Sequence, residues 1–198
     1  GKSFEIGKDI TGVRYIHVRA VQDNAGNTSS EKISGQFVFD NQGPMITFSL
    51  NGSTEWKKEH KTTVTVEDIG GSTVNESSIK YQWNQSTATP LESSFNTSLQ
   101  NGAEVLKKDV SGNNWYLWIL AKDELGNTSI TRSNAFYLDN TPPQAATMIF
   151  KRGNAGGADY KPGVLVGDNI YIELINGTDA HSGHKSSSYE VTGANVVP

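Results

Sequence analysis

Between residues 42 and 140 apolar and polar residues alternate in short runs, each closed by Asn, Gly, Asp or Ser. A period of two rather than 3.6 marks strands, not helices. The pattern predicts strands over 44–50, 61–67, 78–84, 103–109, 114–123 and 128–138, with a further one at 91–99. Six or seven short strands in about 100 residues predict an all-β unit of the sandwich type. The run YLWILAK (116–122) is apolar on both faces, so its own alternation does not orient it. A similar run, YIHVRAV (15–21), places polar residues at His17 and Arg19 and only apolar ones at Ile16, Val18 and Ala20. Because side chains alternate across a strand, the comparison sends Leu117, Ile119 and Ala121 to the core. Tyr116, Trp118 and Leu120 are then expected outward or half-covered.

That similarity is part of a longer one. Tyr15, Ala20, Asp23, Gly26, Asn27, Thr28, Ser29, Phe37, Asp40 and Asn41 return in order as Tyr116, Ala121, Asp123, Gly126, Asn127, Thr128, Ser129, Phe136, Asp139 and Asn140. Two single-residue gaps suffice, at a spacing of about 100, and self-similarity at a fixed period is the mark of a repeat architecture. The stretch after Asn41 also resembles, more weakly, the stretch after Asn140. The expected organisation is the C-terminal part of one unit (1–41), a complete unit (42–140) and the N-terminal part of another (141–198).

The residues WYLWILAKDELGNTS (115–129) and FYLDNTPP (136–143) resemble the end of the immunoglobulin-like repeats strung along large exported bacterial surface proteins. In those repeats an A-x-D-x-x-G-N hairpin joins the last two strands and a D-N-T-x-P segment links one module to the next. The resemblance implies immunoglobulin-like β-sandwich repeats of about 100 residues in an extracellular, cell-wall-associated setting. Segment 151–169 (KRGNAGGADYKPGVLVGDN) is longer than its counterpart and departs from the pattern.

Composition narrows the chemistry. The chain has 198 residues, a net charge of −4 and no clustered Lys/Arg beyond pairs such as Lys57-Lys58, so it lacks the basic stripe that nucleic acid requires. It contains no cysteine, which removes disulfides, zinc thiolates and Cys nucleophiles. No apolar run reaches the roughly 18 residues of a membrane helix. No G-x-S-x-G elbow or facing carboxylate pair is present, so no catalytic residues, enzymatic activity or organic cofactor are expected.

Two candidate sites remain. Asp123, Glu124 and Asn127 supply oxygens that hard cations such as calcium use, although the same residues serve a hairpin turn, with Gly126 at positive φ. Asp40 and Asp139 stand at the linkers DNQGP and DNTPP, so an interdomain cation held by Asp40, Asp139 and Asp123 is one expectation. Stiffening by proline is the simpler one. Trp118, with Tyr116, is the aromatic pair that could stack on a sugar if it faces solvent. His181 and His184 lie three apart across Ser-Gly, and no third metal ligand is close in sequence.

The expected role is that of a spacer or assembly segment of a repetitive surface protein. The alternatives are an adhesin or carbohydrate-binding module, meeting a surface glycan or host protein, and an accessory region of a large exported enzyme. Its partners are then neighbouring repeats, either within a longer polypeptide or in another copy of the chain joined head to tail as a fibre.

Overall fold

The structure is a computed structural model that describes residues 3–7 and 9–193. It is all-β: the described residues form fifteen strands and two single 3-10 turns, and no helix is long and apolar enough to cross a membrane. Two sheets make up the middle of the chain. One runs β10 (Glu104–Lys108), β7 (Glu59–Glu67), β5 (Met45–Phe48), with all neighbours antiparallel. The other runs β6 (Ser53–Lys57), β13 (Phe136–Leu138), β11 (Gly112–Lys122), β8 (Lys80–Asn84), β9 (Thr97–Ser98), and β12 (Thr128–Arg132) also pairs with β11.

Alternation decides what each strand buries. Along β7, His60, Thr62, Val64 and Val66 are buried while the residues between them are half-buried or exposed. Val64 and Val66 meet Ile46 and Val105 from their own sheet and Leu117, Ile119 and Ala121 from β11, together with Ile79 and Leu99, in one core. Residues 117, 119 and 121 point there as the twin strand indicates. Trp118 and Leu120 do not face solvent, however. Both are only 4% exposed, and they form a second cluster with Phe95, flanked by Tyr116 and Ile130. β11 is apolar on both faces because both are covered.

Three boundaries differ from the sequence reading. The strand expected over 128–138 is two strands. Between them, buried Ser133 turns its hydroxyl to the Leu117 N–H (2.9 Å) while its own N–H donates to the Leu117 carbonyl (2.8 Å). The side chain thus takes over a ladder position and the strand shifts register. The 91–99 strand shrinks to Thr97–Ser98 after a 3-10 turn at Glu92–Ser94. β6, which alternation does not reveal because Trp56 is its lone large apolar residue, pairs in parallel with β13.

The flanking segments follow the same scheme in miniature. β1 (Gly12–Arg14) pairs with β4 (Phe37–Phe39) and β2 (His17–Val18) with β3 (Lys32–Ile33), as the two halves of β11 pair with β13 and β12. Ser34 bonds Ile16 through N–H and hydroxyl (2.9 and 2.8 Å) as Ser133 bonds Leu117. Near the other end, β14 (Thr147–Arg152) and β15 (Ile170–Ile175) form an antiparallel pair over Met148–Leu174 and Phe150–Ile172.

Candidate functional site

The hairpin after β11 is built by Asp123. Its backbone N–H donates to the Asn127 carbonyl (3.1 Å), its Oδ1 accepts from the N–H groups of Leu125 (3.0 Å) and Asn127 (2.8 Å), and its Oδ2 accepts from the Asn127 amide (2.7 Å). Gly126 completes the turn at φ 90°, a backbone position that disfavours a side chain. The hairpin at Asp23–Asn27 makes the corresponding bonds at 2.9, 2.9, 2.8 and 2.8 Å, with Gly26 at φ 91°. Hydrogen bonds from the Asn27 side chain and backbone hold the Asp23 carboxyl below the ordinary range. In both copies the shared Asp, Gly and Asn make the turn.

What distinguishes the second hairpin is its surroundings. Asp23 stands in an exposed hairpin, whereas Asp123 is 1% exposed. The Asn127 amide also donates to the Asp40 carbonyl (3.1 Å), so the hairpin holds the segment that leads from β4 to β5. The Asp40 carboxylate accepts from the N–H groups of Gln42 (3.0 Å) and Ser72 (2.8 Å). It lies so close over the loop after β7 that a Cβ at Gly70 would overlap it. In that loop Asp68 Oδ2 accepts from Gly70 (3.2 Å) and Gly71 (2.8 Å). One carboxylate oxygen from each of Asp40, Asp68 and Asp123 lies within 4.8 Å of the others.

The structure therefore joins Asp40 with Asp123, adds Asp68, and leaves Asp139 at the other linker. There its Oδ1 accepts from the Thr141 N–H (2.9 Å) and its Oδ2 from the Ser182 N–H (3.0 Å), while His181 Nδ1 lies 3.7 Å away. The Asp139 side chain is 7% exposed. Burial alone would raise its carboxyl, but hydrogen bonds from Ser182 and Thr141, with the His181 charge, hold it below the ordinary range. Asp68 escaped the sequence reading because it recurs only loosely, as Asp179, whose Oδ1 accepts from His181 and Gly183.

The Asn of each linker grips in the opposite direction. The Asn140 amide donates to the carbonyls of Lys58 (2.9 Å) and Val110 (2.8 Å). The Asn41 amide donates to Gly7 (3.0 Å) and Ile10. Each Asp-Asn pair thus ties the linker back through Asn and forward through Asp.

The sugar platform loses its basis, since Trp118 is buried. Its indole N–H donates to Asn84 Oδ1 (3.1 Å) and the Ser86 carbonyl (3.3 Å), Phe95 packs beside it, and Tyr116 is half-buried under the Arg132 guanidinium (4.9 Å). Trp56 and Trp83 are half-buried against Tyr137 and Phe136, and Trp115 is half-buried beneath the Lys107 ammonium. His60, unremarkable in the sequence, is 4% exposed and its Nε2–H donates at 3.0 Å to the carbonyls of both Glu55 and Tyr137. It fastens β6 and β13 to β7. Comparisons with protein-family models, curated proteins and solved structures return no match to this chain.

Proposed function

We propose that the chain is a stretch of a tandem array of immunoglobulin-like β-sandwich units whose work is mechanical: it spaces or displays other parts of an exported surface protein. The observation that carries the reading is the parallel pairing of β6 with β13, Ser53 opposite Phe136 and Lys57 opposite Leu138. β13 is the last strand of the unit and β6 the second, so tension reaches β6 once β5, the edge strand paired with β7, has yielded. Tension entering at Asn41 and leaving at Asn140 then pulls β6 and β13 along their length in opposite directions, so their bonds, Ser53 N–H to Ala135 (2.8 Å) and Asp139 N–H to Lys57 (2.9 Å) among them, are loaded together rather than one by one. Forced unfolding is governed by the unfolding barrier, and bonds loaded together raise it. His60 adds a bond to each strand from the opposite sheet.

The recurrence of hairpin, serine bulge and linker bonds near a 100-residue spacing supports the tandem reading, as does a strand order in which the last strand, β13, lies beside β6 while β5, the first, joins the opposite sheet. Stretching the chain by its ends tests it. A single abrupt release from the middle unit is expected, with a contour gain of about 350 Å at roughly 3.6 Å per residue. His60→Ala should lower the force. Extension without a resolved event would overturn the mechanical reading.

A further inference from the structure

The cluster of Asp40, Asp68 and Asp123 is short of positive charge. Among the described residues none of the three is in a salt bridge with a basic side chain, although one ligand oxygen from each lies within 4.8 Å of the others and Asp123 is 1% exposed. A second observation is independent of that crowding: Asp68 Oδ1 is buried and accepts no hydrogen bond. A buried carboxylate oxygen without a partner loses its hydration and gains nothing in return. The other carboxylate oxygens are held in place by backbone and amide N–H groups, so the oxygens are positioned before any ion arrives.

From these residues we infer that Asp40, Asp68 and Asp123 form a calcium site at the junction between the linker and the middle unit. The donors are all oxygens, which excludes the nitrogen and sulfur preferences of zinc and copper. Calcium takes six to eight oxygens in flexible geometry, whereas magnesium demands a near-ideal octahedron and keeps most of its waters, so three carboxylates fixed by the backbone of separate loops suit calcium. Water completes the coordination. The ion ties the linker (Asp40) to the loop after β7 (Asp68) and the hairpin after β11 (Asp123), which locks the direction in which the chain enters the unit. This inference rests on reading 40–44 as a linker between units.

Calcium chloride and magnesium chloride are titrated against the chain in a thermal melt at fixed ionic strength, starting from chelator-treated protein. With a dissociation constant near 10⁻⁴ M, in the range of extracellular modules, 2 mM calcium favours folding about twenty-fold. For a unit of this size that is a rise in Tm of roughly 7 to 14 °C. Asp68→Asn should abolish the rise while leaving the metal-free Tm unchanged or higher, because it removes a like charge. The exposed-site control Asp159→Asn should keep the rise. No shift in the wild type, equal shifts with the two metals, or a rise that survives Asp68→Asn would each overturn the site. A silent calcium titration with an intact stretching event would remove the ion and leave the array; loss of that event would remove the array whatever the titration gave.

Discussion

Trp118→Ala separates a core role from a surface role by its cost. The side chain is 4% exposed and packs with Phe95 and Leu120, so truncation should cost about 3 to 5 kcal/mol in transfer and cavity terms. Loss of the indole N–H bonds to Asn84 and Ser86 adds about 1 kcal/mol rather than the full desolvation cost, because Ser86 is exposed and water replaces the donor. The Arg132 guanidinium, 5.6 Å over the ring, contributes about 0.5 kcal/mol more from its exposed position. The sum, about 4.5 to 6.5 kcal/mol, is a large part of the roughly 5 to 15 kcal/mol that holds a domain. It should lower Tm by about 18 °C or more, at about 4 °C per kcal/mol or above. Calorimetry and urea unfolding measure it, and Trp118→Phe, which keeps most of the volume, should recover more than half. A Trp118→Ala protein within about 1 kcal/mol of wild type would refute the placement of this side chain and restore the exposed aromatic face.

Other perturbations follow from the same geometry. His60→Ala should cost about 2 to 4 kcal/mol in denaturant unfolding, since it leaves a cavity and strips a donor from two carbonyls between sheets. Asn140→Ala should speed proteolysis at 139–143 while changing the unfolding midpoint of the middle unit little, because its amide bonds lie at an exposed linker. Asp139 has a carboxyl pKa below that of the unfolded chain, so its contribution to stability is complete above about pH 4 and is lost as pH falls through the folded value. Tm should therefore drop as pH falls below about 4, and less steeply in Asp139→Asn.

Alternation was enough to find β5, β7, β8, β10 and β11, and the twin strand gave the core face of β11. These features depend on local period and on burial of one face, which residues carry individually. The pairing of β6 with β13 was not legible, because STEWK has no alternation and its partner lies some eighty residues away. Nor was the cover over Trp118: parity gave the face of the strand correctly, but not that Phe95 and Leu120 build a second cluster on it. The linker aspartates were found by their recurrence, yet only the fold could show that Asp68 joins Asp40 and Asp123 while Asp139 meets His181 instead. Ser133 hid in the same way, since a hydroxyl that replaces a ladder acceptor leaves no periodic trace.

Residues 42–140, which hold the buried core from Ile46 to Ala121, are proposed to form one unit of a series. Expressing that segment alone and unfolding it in urea and by calorimetry tests this directly. One cooperative transition is expected, with calorimetric and van't Hoff enthalpies equal and ΔH near 60 to 80 kcal/mol at the midpoint, at a metal-free Tm within a few degrees of the main transition of the 198-residue chain. A segment that is unfolded, or that melts far below the whole chain, would contradict the account and make the flanking segments part of the same core.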